Sequence, residues 1–300
     1  MNHRFFALAA LALFAGTAAR ADDPLERAFV TPPASARPHT WWHWINGNVS
    51  QAGITADLEA MARAGIGGAQ IFNVDVGVPP GKTPYFSPQW RAAIVHAARE
   101  AERLNIELCF HNCAGWSSSG GPWITPDRSM QILTWSETSV AGGTRFSGKL
   151  PPPEARMGFY RDICVLAIPK SAGNEARIAD VRAKAFFERG ASGLPSPDSL
   201  AAGGGAGATP RNSVVILSCA PDGSLNWNAP PGGAWTLLRI GHTSTGKDNH
   251  PAPEAGRGLE CDKLSREAMD FHWANGIAPI LKDLGPVSYT HLTLPTKRIV

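Results

Sequence analysis

Residues 54–74 read ITADLEAMARAGIGGAQIFNV and predict a helix followed by a strand. In the first half, Ile54, Leu58 and Met61 recur at helical spacing on one face, and Gly65 stands where a helix C-terminal cap belongs. After two more glycines, the mostly apolar run at residues 70–74 is typical of a short buried strand.

The sequence on either side of this unit repeats the same alternation. Residues 40–45 are aromatic and predict a first strand. Ser87-Pro88 provides an N-cap and a proline at the first helical position, and the helix that follows is expected to end at Asn105. Residues 106–110 then form a third strand. Strands that alternate with helices at intervals of about 30 residues indicate βαβ units and a parallel sheet.

Polar side chains follow all three predicted strands at their C-terminal ends. In chain order these side chains are His43 and Asn46, then Asn73 and Asp75, then His111 and Asn112. A (β/α)₈ barrel builds its active site at this edge, so three such strand ends favour a barrel over an open doubly wound sheet. The lack of a G-x-G-x-x-G motif after the first strand also argues against a dinucleotide site.

The remaining chain predicts a β insertion in the barrel. Residues 126–242 contain short runs of strand character separated by Pro/Gly turns, and the runs are residues 131–140, 163–168, 214–217, 225–227 and 235–243. A Gly-rich stretch at 201–209 is expected to be a flexible connection. Residues 265–284 return to a helical pattern. The predicted fold class is α/β, an incomplete (β/α)₈ TIM-type barrel interrupted by a mainly β insertion. The first βα units occupy 22–125, the insertion 126–242, and the return to the barrel 243–286.

Both ends of the chain are expected to differ from the folded part. Residues 1–21 have a basic start, a short apolar run and an Ala19-Arg20-Ala21 cleavage site, which predicts a signal peptide and a periplasmic or secreted protein. The apolar run is shorter than the roughly 20 residues of a membrane span. Residues 287–300 begin with VSYTHL, which matches a translated sequencing adapter, so we expect the native gene to continue beyond them.

The composition argues against some classes of binding partner. The net charge is +3, and no Lys/Arg cluster is present, so a nucleic acid is not an expected partner. The five cysteines are odd in number and irregularly spaced, which fits buried free thiols better than a zinc site. Trp42, Trp44 and Trp116 can either pack in a core or stack on sugar rings.

Residues 247–263 carry the densest set of polar side chains. These are Asp248, Asn249, His250, Glu260, Asp262 and Lys263, and either a substrate-facing loop or a solvated one explains them. Glu260 and Asp262 point the same way if the segment is extended, and they can bind hydroxyls, a cation or Lys263. No calcium loop of the D-x-D-x-D-G type is present, so any metal would need ligands from several loops.

Two stretches resemble glycoside hydrolase family 106, the α-L-rhamnosidases. They are residues 41–44 (WWHW) together with residues 54–74, and residues 243–265 (TSTGKDNHPAPEAGRGLECDKLS). The resemblance extends from about residue 32 to residue 286. It implies a (β/α)₈ barrel that hydrolyses terminal α-L-rhamnose from polysaccharides or glycosides with inversion, and a calcium ion near the sugar. The family's catalytic acid and base match no position in this chain, so the chain alone is expected to be inactive.

The expected partner is therefore a rhamnose-containing carbohydrate. The proposed substrate-binding residues are His43, Asn73, Asp75, His111, Asn112, Asp248, Asn249, His250, Glu260, Asp262 and Lys263. Alternatively, each histidine or asparagine at a strand end forms hydrogen bonds with backbone groups of a loop. Two other functions remain open at this stage: a secreted carbohydrate-binding protein without catalysis, and a glycosidase of another barrel family, which would require an Asn-Glu pair at a strand end.

Overall fold

The computed structural model describes residues 23–170, 209–285 and 292–293. Its helices are α1 (Pro24–Val30), α2 (Gln51–Arg63), α3 (Pro88–Leu104), α4 (Arg266–His272) and α5 (Ala278–Leu284), and a π-helical turn (Trp273–Ile277) joins the last two. No helix in these ranges is both long enough and apolar enough to cross a membrane. The predicted signal peptide and nearly all of residues 201–209 and 287–300 lie outside the described residues.

A parallel sheet forms the first layer of the fold. Its strands are β1 (His39–Ile45), β2 (Gly68–Val74), β3 (Glu107–Phe110) and a two-residue β10 (Leu292–Thr293), in that spatial order. The prediction of an α/β fold with a parallel sheet is confirmed. The described part of the chain contains no closed barrel, so closure with eight strands is not part of this structure.

Local sequence signals set the helix boundaries. The Ser50 side chain accepts a hydrogen bond from the Gly53 N–H at the start of α2, and the Ser87 side chain accepts one from the Trp90 N–H at the start of α3. Asn105 ends α3 in the left-handed conformation, with φ of 53°. These caps satisfy backbone groups that a helix end leaves without intrahelical partners.

One face of the parallel sheet packs against α2 and α3. Trp42 and Trp44 of β1 and Ile71 of β2 are buried there among helix side chains that include Leu58 and Ile94. The two tryptophans therefore belong to the core and not to a sugar-stacking surface. Side chains alternate along a strand, so the intervening residues of β1 point to the opposite face.

An antiparallel β module follows β3 in the chain. Its main sheet has the order β4 (Gln131–Ala141), β9 (Ala234–Ser244), β6 (Arg161–Pro169), β7 (Val215–Leu217), and a separate ribbon pairs β5 (Arg145–Lys149) with β8 (Ser224–Asn228). The predicted strand regions of the insertion are all present. Strand β5 was not predicted, because its sequence RFSGK has one large apolar residue and an internal glycine.

The chain enters and leaves the β module at adjacent points. Gln131 at the start of β4 pairs with Ser244 at the end of β9. Just outside this pair, the buried Ser129 Oγ donates to Ser244 Oγ at 2.6 Å. The chain then returns to the helical layer, where Arg91 of α3 donates to Asp283 Oδ1 of α5 at 2.7 Å.

Candidate active site

A row of rings crosses the sheet face opposite the helices. The ring centroids of His43 and Phe72 are 5.7 Å apart, and those of Phe72 and His111 are 4.7 Å apart in a stacked arrangement. Trp41 extends the row, 5.4 Å from Phe72, and is 67% exposed. His43 and His111 are thus brought together near the carboxyl ends of three neighbouring strands. The row offers a flat apolar surface flanked by imidazole nitrogens, which suits a sugar ring.

His111 is the most enclosed member of the row. It is 8% exposed, and its Nε2 accepts a hydrogen bond from the Ser118 N–H at 3.1 Å. Burial lowers the pKa of His111 to about 4, so the ring is neutral near pH 7. Because Nε2 is an acceptor, this hydrogen bond assigns the ring proton to Nδ1.

The loop after β3 meets the loop that carries Glu260 and Lys263. Lys263 Nζ lies 3.6 Å from Glu260 Oε2. Both groups act on the buried thiol of Cys113: burial is the main cause that raises its pKa to about 12, Ser117 and Lys263 lower it, and Glu260 raises it. The Gly121 N–H donates to the Leu259 carbonyl oxygen at 3.2 Å, which places Glu260, with its partner Lys263, beside the loop that follows β3. The structure thus gives Glu260 the lysine partner that the sequence analysis considered.

Asn249 has a fully satisfied amide in the interior of the loop cluster. The side chain is 0% exposed, and its Nδ2 donates to the carbonyl oxygens of Ala114 at 3.0 Å and Gly256 at 2.9 Å. Its Oδ1 accepts from the Gly258 N–H at 2.9 Å. Asn249 thus ties the loop after β3 to residues 256–258. These contacts support a structural role in place of the predicted substrate contact.

Asn73 also faces away from the aromatic row. It is 5% exposed, and its Oδ1 accepts a hydrogen bond from Trp90 Nε1 of α3 at 2.7 Å. Asn73 belongs to the helix-facing side of β2, since Phe72 points to the other side. The sequence showed that Asn73 lies at the end of a strand. It did not show that the Asn73 side chain points to the helix-facing side of the sheet.

Asn73→Ala is expected to lower the free energy of unfolding by about 1–3 kcal/mol, because the buried Trp90 N–H would lose its acceptor. Chemical denaturation with tryptophan fluorescence measures the change. Asn73→Ala/Trp90→Phe provides the matched control, since removal of both partners should cost less than the sum of the two single changes. If Asn73→Ala left stability unaltered but abolished sugar binding, Asn73 would instead be a residue of the sugar site.

Two predicted carboxylates stabilise turns. Asp75 Oδ1 accepts from the Gly77 N–H at 2.9 Å, and Asp262 Oδ1 accepts from the Leu264 N–H at 3.0 Å. Both side chains are partly exposed. Their predicted substrate contacts remain predictions, and each carboxylate has a second oxygen for that purpose.

The other predicted residues lie at the rim. Asp248 and His250 are exposed, and the His250 carbonyl oxygen accepts from the Trp116 N–H at 3.3 Å. Trp116 is itself 56% exposed beside this loop, so it remains available for stacking. Asn112 is half-buried and follows His111 directly.

His272 supports the end of β3 and was missed by the sequence analysis. Its Nδ1 accepts from Trp123 Nε1 at 3.1 Å, and its Nε2 lies 3.1 Å from the Asn112 carbonyl oxygen, to which it donates. Burial lowers the pKa of His272, as it does for His111. The sequence showed only a histidine within a predicted helix, and nothing there indicated its partner 160 residues earlier.

The described carboxylates do not fit a calcium site. No group of three or more His, Cys, Asp or Glu side chains in residues 23–170 and 209–285 is arranged to hold a metal ion. The Glu260 carboxylate faces Lys263, and calcium requires six to eight oxygen ligands. The five cysteines all lie in these ranges and form no disulfide there; Cys113 and Cys261 are buried, and the other three are half-buried.

Comparison with known proteins agrees with this architecture. The model of glycoside hydrolase family 106, alpha-L-rhamnosidase, matches residues 30–191 and 173–289. The chain belongs to glycoside hydrolase family 106. The solved structure of the rhamnosidase from Novosphingobium sp. PP1Y is similar, with a TM-score of 0.70 and 27% identity, over 87% of this chain and 38% of that one.

A curated relative carries a different activity in its name. A Formosa agariphila protein named "Putative beta-glucuronidase" is 47% identical over 262 residues, or 87% of this chain and 22% of that protein. The chain therefore spans about a fifth of this relative's length and under two fifths of the solved rhamnosidase. Membership of family 106 sets aside a glycosidase of another barrel family.

Proposed function

We propose that this chain is part of an exported glycoside hydrolase that removes terminal α-L-rhamnose from polysaccharides or glycosides with inversion. The observation that carries the proposal is the row of His43, Phe72 and His111 at the carboxyl ends of parallel strands in a family 106 chain. Export rests on the leader-like sequence of residues 1–21. Calcium remains a prediction from the family resemblance, without support from the described ligands.

The row accounts for binding and orientation of the sugar. The apolar C–H face of a pyranose can lie on Trp41 and Phe72, while His43 offers a ring nitrogen to a hydroxyl group. An inverting enzyme also needs an acid and a base carboxylate roughly 6.5–9.5 Å apart. We assign that pair to residues outside this chain. Completion of an eight-stranded barrel around the row is part of the same proposal.

The test is to express the longest reading frame that contains this chain and to measure release of L-rhamnose from an aryl α-L-rhamnoside. His43→Ala is expected to lower kcat/KM by about 10- to 100-fold, because one polar contact to the sugar is lost from an exposed face of the sheet. His96→Ala, on the helical layer, provides the control and should stay within about twofold. Equal effects of the two changes would remove His43 from the site.

The second candidate function is β-glucuronide hydrolysis, which the Formosa relative's name favours. The same preparations can be assayed on an aryl β-D-glucuronide. Turnover of the glucuronide alone would replace rhamnose as the substrate of this site. Sugar binding without turnover of either glycoside would support the non-catalytic carbohydrate-binding alternative.

A further inference from the structure

Three buried polar atoms near the end of β3 lack a hydrogen-bond partner. They are His111 Nδ1, Ser117 Oγ and Ser119 Oγ, and none has a partner in the part of the chain that the structure describes. His111 and Ser119 are 8% and 1% exposed, and Ser117 is half-buried. Native proteins pair nearly all buried polar atoms, so three unpaired atoms in one loop point to a place for a polar group of a ligand.

The contact at Nε2 determines the chemistry of the orphaned nitrogen. The Ser118 N–H is a donor, so Nε2 must be the unprotonated nitrogen of a neutral ring. Nδ1 then carries the hydrogen and can only donate. A metal cation cannot bind there without a change of tautomer, whereas a hydroxyl, carbonyl or carboxylate oxygen can accept the hydrogen bond.

We propose that His111 is a specificity residue of the sugar site, which donates its Nδ1–H to a hydroxyl oxygen of the bound sugar. The role of residues 115–121, here named the serine loop, is to fix the tautomer through the Ser118 N–H. This inference rests on the proposed glycosidase function. It adds which nitrogen acts, in which protonation state, and which backbone group sets that state.

The serine loop must shift for a sugar to reach the nitrogen. His111 is enclosed between the Phe72 ring and the loop that carries Ser118. Ser118 is a non-glycine residue in the left-handed region, with φ of 64°, and its side chain is exposed. Gly115 and Gly120 anchor the loop, because a Cβ at either position would meet backbone of residues 249 and 259. We therefore expect the shift within residues 116–119.

Three substitutions of His111 separate the two nitrogens. His111→Asn places an amide N–H near the former Nδ1, His111→Gln extends its amide toward the former Nε2, and His111→Phe keeps only the ring that stacks on Phe72. We expect His111→Asn to stay within about fivefold of the wild-type kcat/KM in the parent reading frame. His111→Gln and His111→Phe should lose about 10- to 100-fold.

Monodeoxy rhamnosides identify the acceptor and exclude a merely structural role. One analogue should be hydrolysed about 10- to 100-fold more slowly than the parent glycoside by the wild type, and that penalty should disappear in His111→Phe. A penalty of equal size in both proteins for every analogue would overturn the proposal. So would a His111→Gln variant that retains activity when His111→Asn does not.

A binding measurement keeps this inference distinct from the proposed function. If the parent protein hydrolyses neither glycoside, the rhamnosidase function fails, and His111 is tested by ¹⁵N-histidine NMR on the 300-residue chain. L-rhamnose and D-glucuronate are the probes. A shift of the His111 Nδ1 signal with either sugar, with Nε2 remaining unprotonated, supports the donor role. Saturable sugar binding without such a shift overturns it.

Discussion

Replacement of Asn249 by alanine is expected to lower the free energy of unfolding by about 3–5 kcal/mol, the largest effect of any single polar substitution proposed for this chain. The change removes both donors and the acceptor of a fully buried amide. It leaves two carbonyl oxygens and one N–H of the surrounding loops buried without partners. Each orphaned group costs about 1–3 kcal/mol, and partial relaxation keeps the total below their sum.

Urea denaturation followed by tryptophan fluorescence measures this effect. Asn226→Ala is the matched control, since Asn226 is exposed on β8 and its removal should change stability by less than about 0.5 kcal/mol. Asn249→Asp tests the donors separately, because a carboxylate retains the acceptor but supplies no N–H to Ala114 or Gly256. If Asn249→Ala unfolds at the wild-type urea concentration but no longer binds sugar, Asn249 contacts the sugar and does not hold the loops together.

The chain is also expected to lose about 3 kcal/mol of stability between pH 6.5 and pH 4 through His111 alone. In the unfolded chain a histidine has a pKa near 6.5, whereas burial lowers the pKa of folded His111 to about 4. Between these values the unfolded state binds the additional proton, so acid favours unfolding. The contribution of neutral His111 to the free energy of unfolding is fully present above pH 6.5 and is lost as the pH falls to 4. His272 acts in the same direction, since burial lowers its pKa too.

Urea midpoints measured between pH 7.5 and pH 4.5 test this dependence. Paired carboxylates such as Asp162 and Asp222 have pKa values held below their usual range by Arg239 and Lys149, so they remain ionised in that interval. His111→Phe cannot titrate and should show a clearly shallower pH dependence than the wild type. An unchanged slope in this variant would mean that His111 is already solvated or charged in the folded chain.

The sequence predicted the helices and the parallel strands of the α/β layer because their signals are local. Caps at Ser50, Ser87 and Asn105 and the apolar spacing of residues 54–74 each act within a few residues, so helix and strand boundaries followed from them. The strand ends also singled out His43 and His111, which the fold brings into one row with Phe72. Weak local signals failed, as in β5, whose pairing with β8 depends on residues some 80 positions away along the chain.

The sequence could not assign roles among the polar side chains. Asn73 and His111 both follow strands, yet one accepts from Trp90 in the core and the other joins the ring row. The alternation of strand side chains separates them only when the register is known. Asn249 looked like a member of an exposed polar loop, and only the fold brings Ala114 and Gly258 to it. Long-range contacts thus decide what each residue does.

The adjacency of the entry and exit of the β module has a consequence for how this architecture can change. Because Gln131 and Ser244 are cross-strand partners, the chain passes between the α/β layer and strands β4–β9 through a two-stranded stalk. A gene segment that encodes residues 131–244 can be gained, lost or exchanged while the flanking chain bridges only the width of one strand pair, roughly 5 Å. The parallel sheet and its ring row are built entirely outside that segment. Recombination at this stalk would therefore exchange the β module while leaving the row itself unchanged.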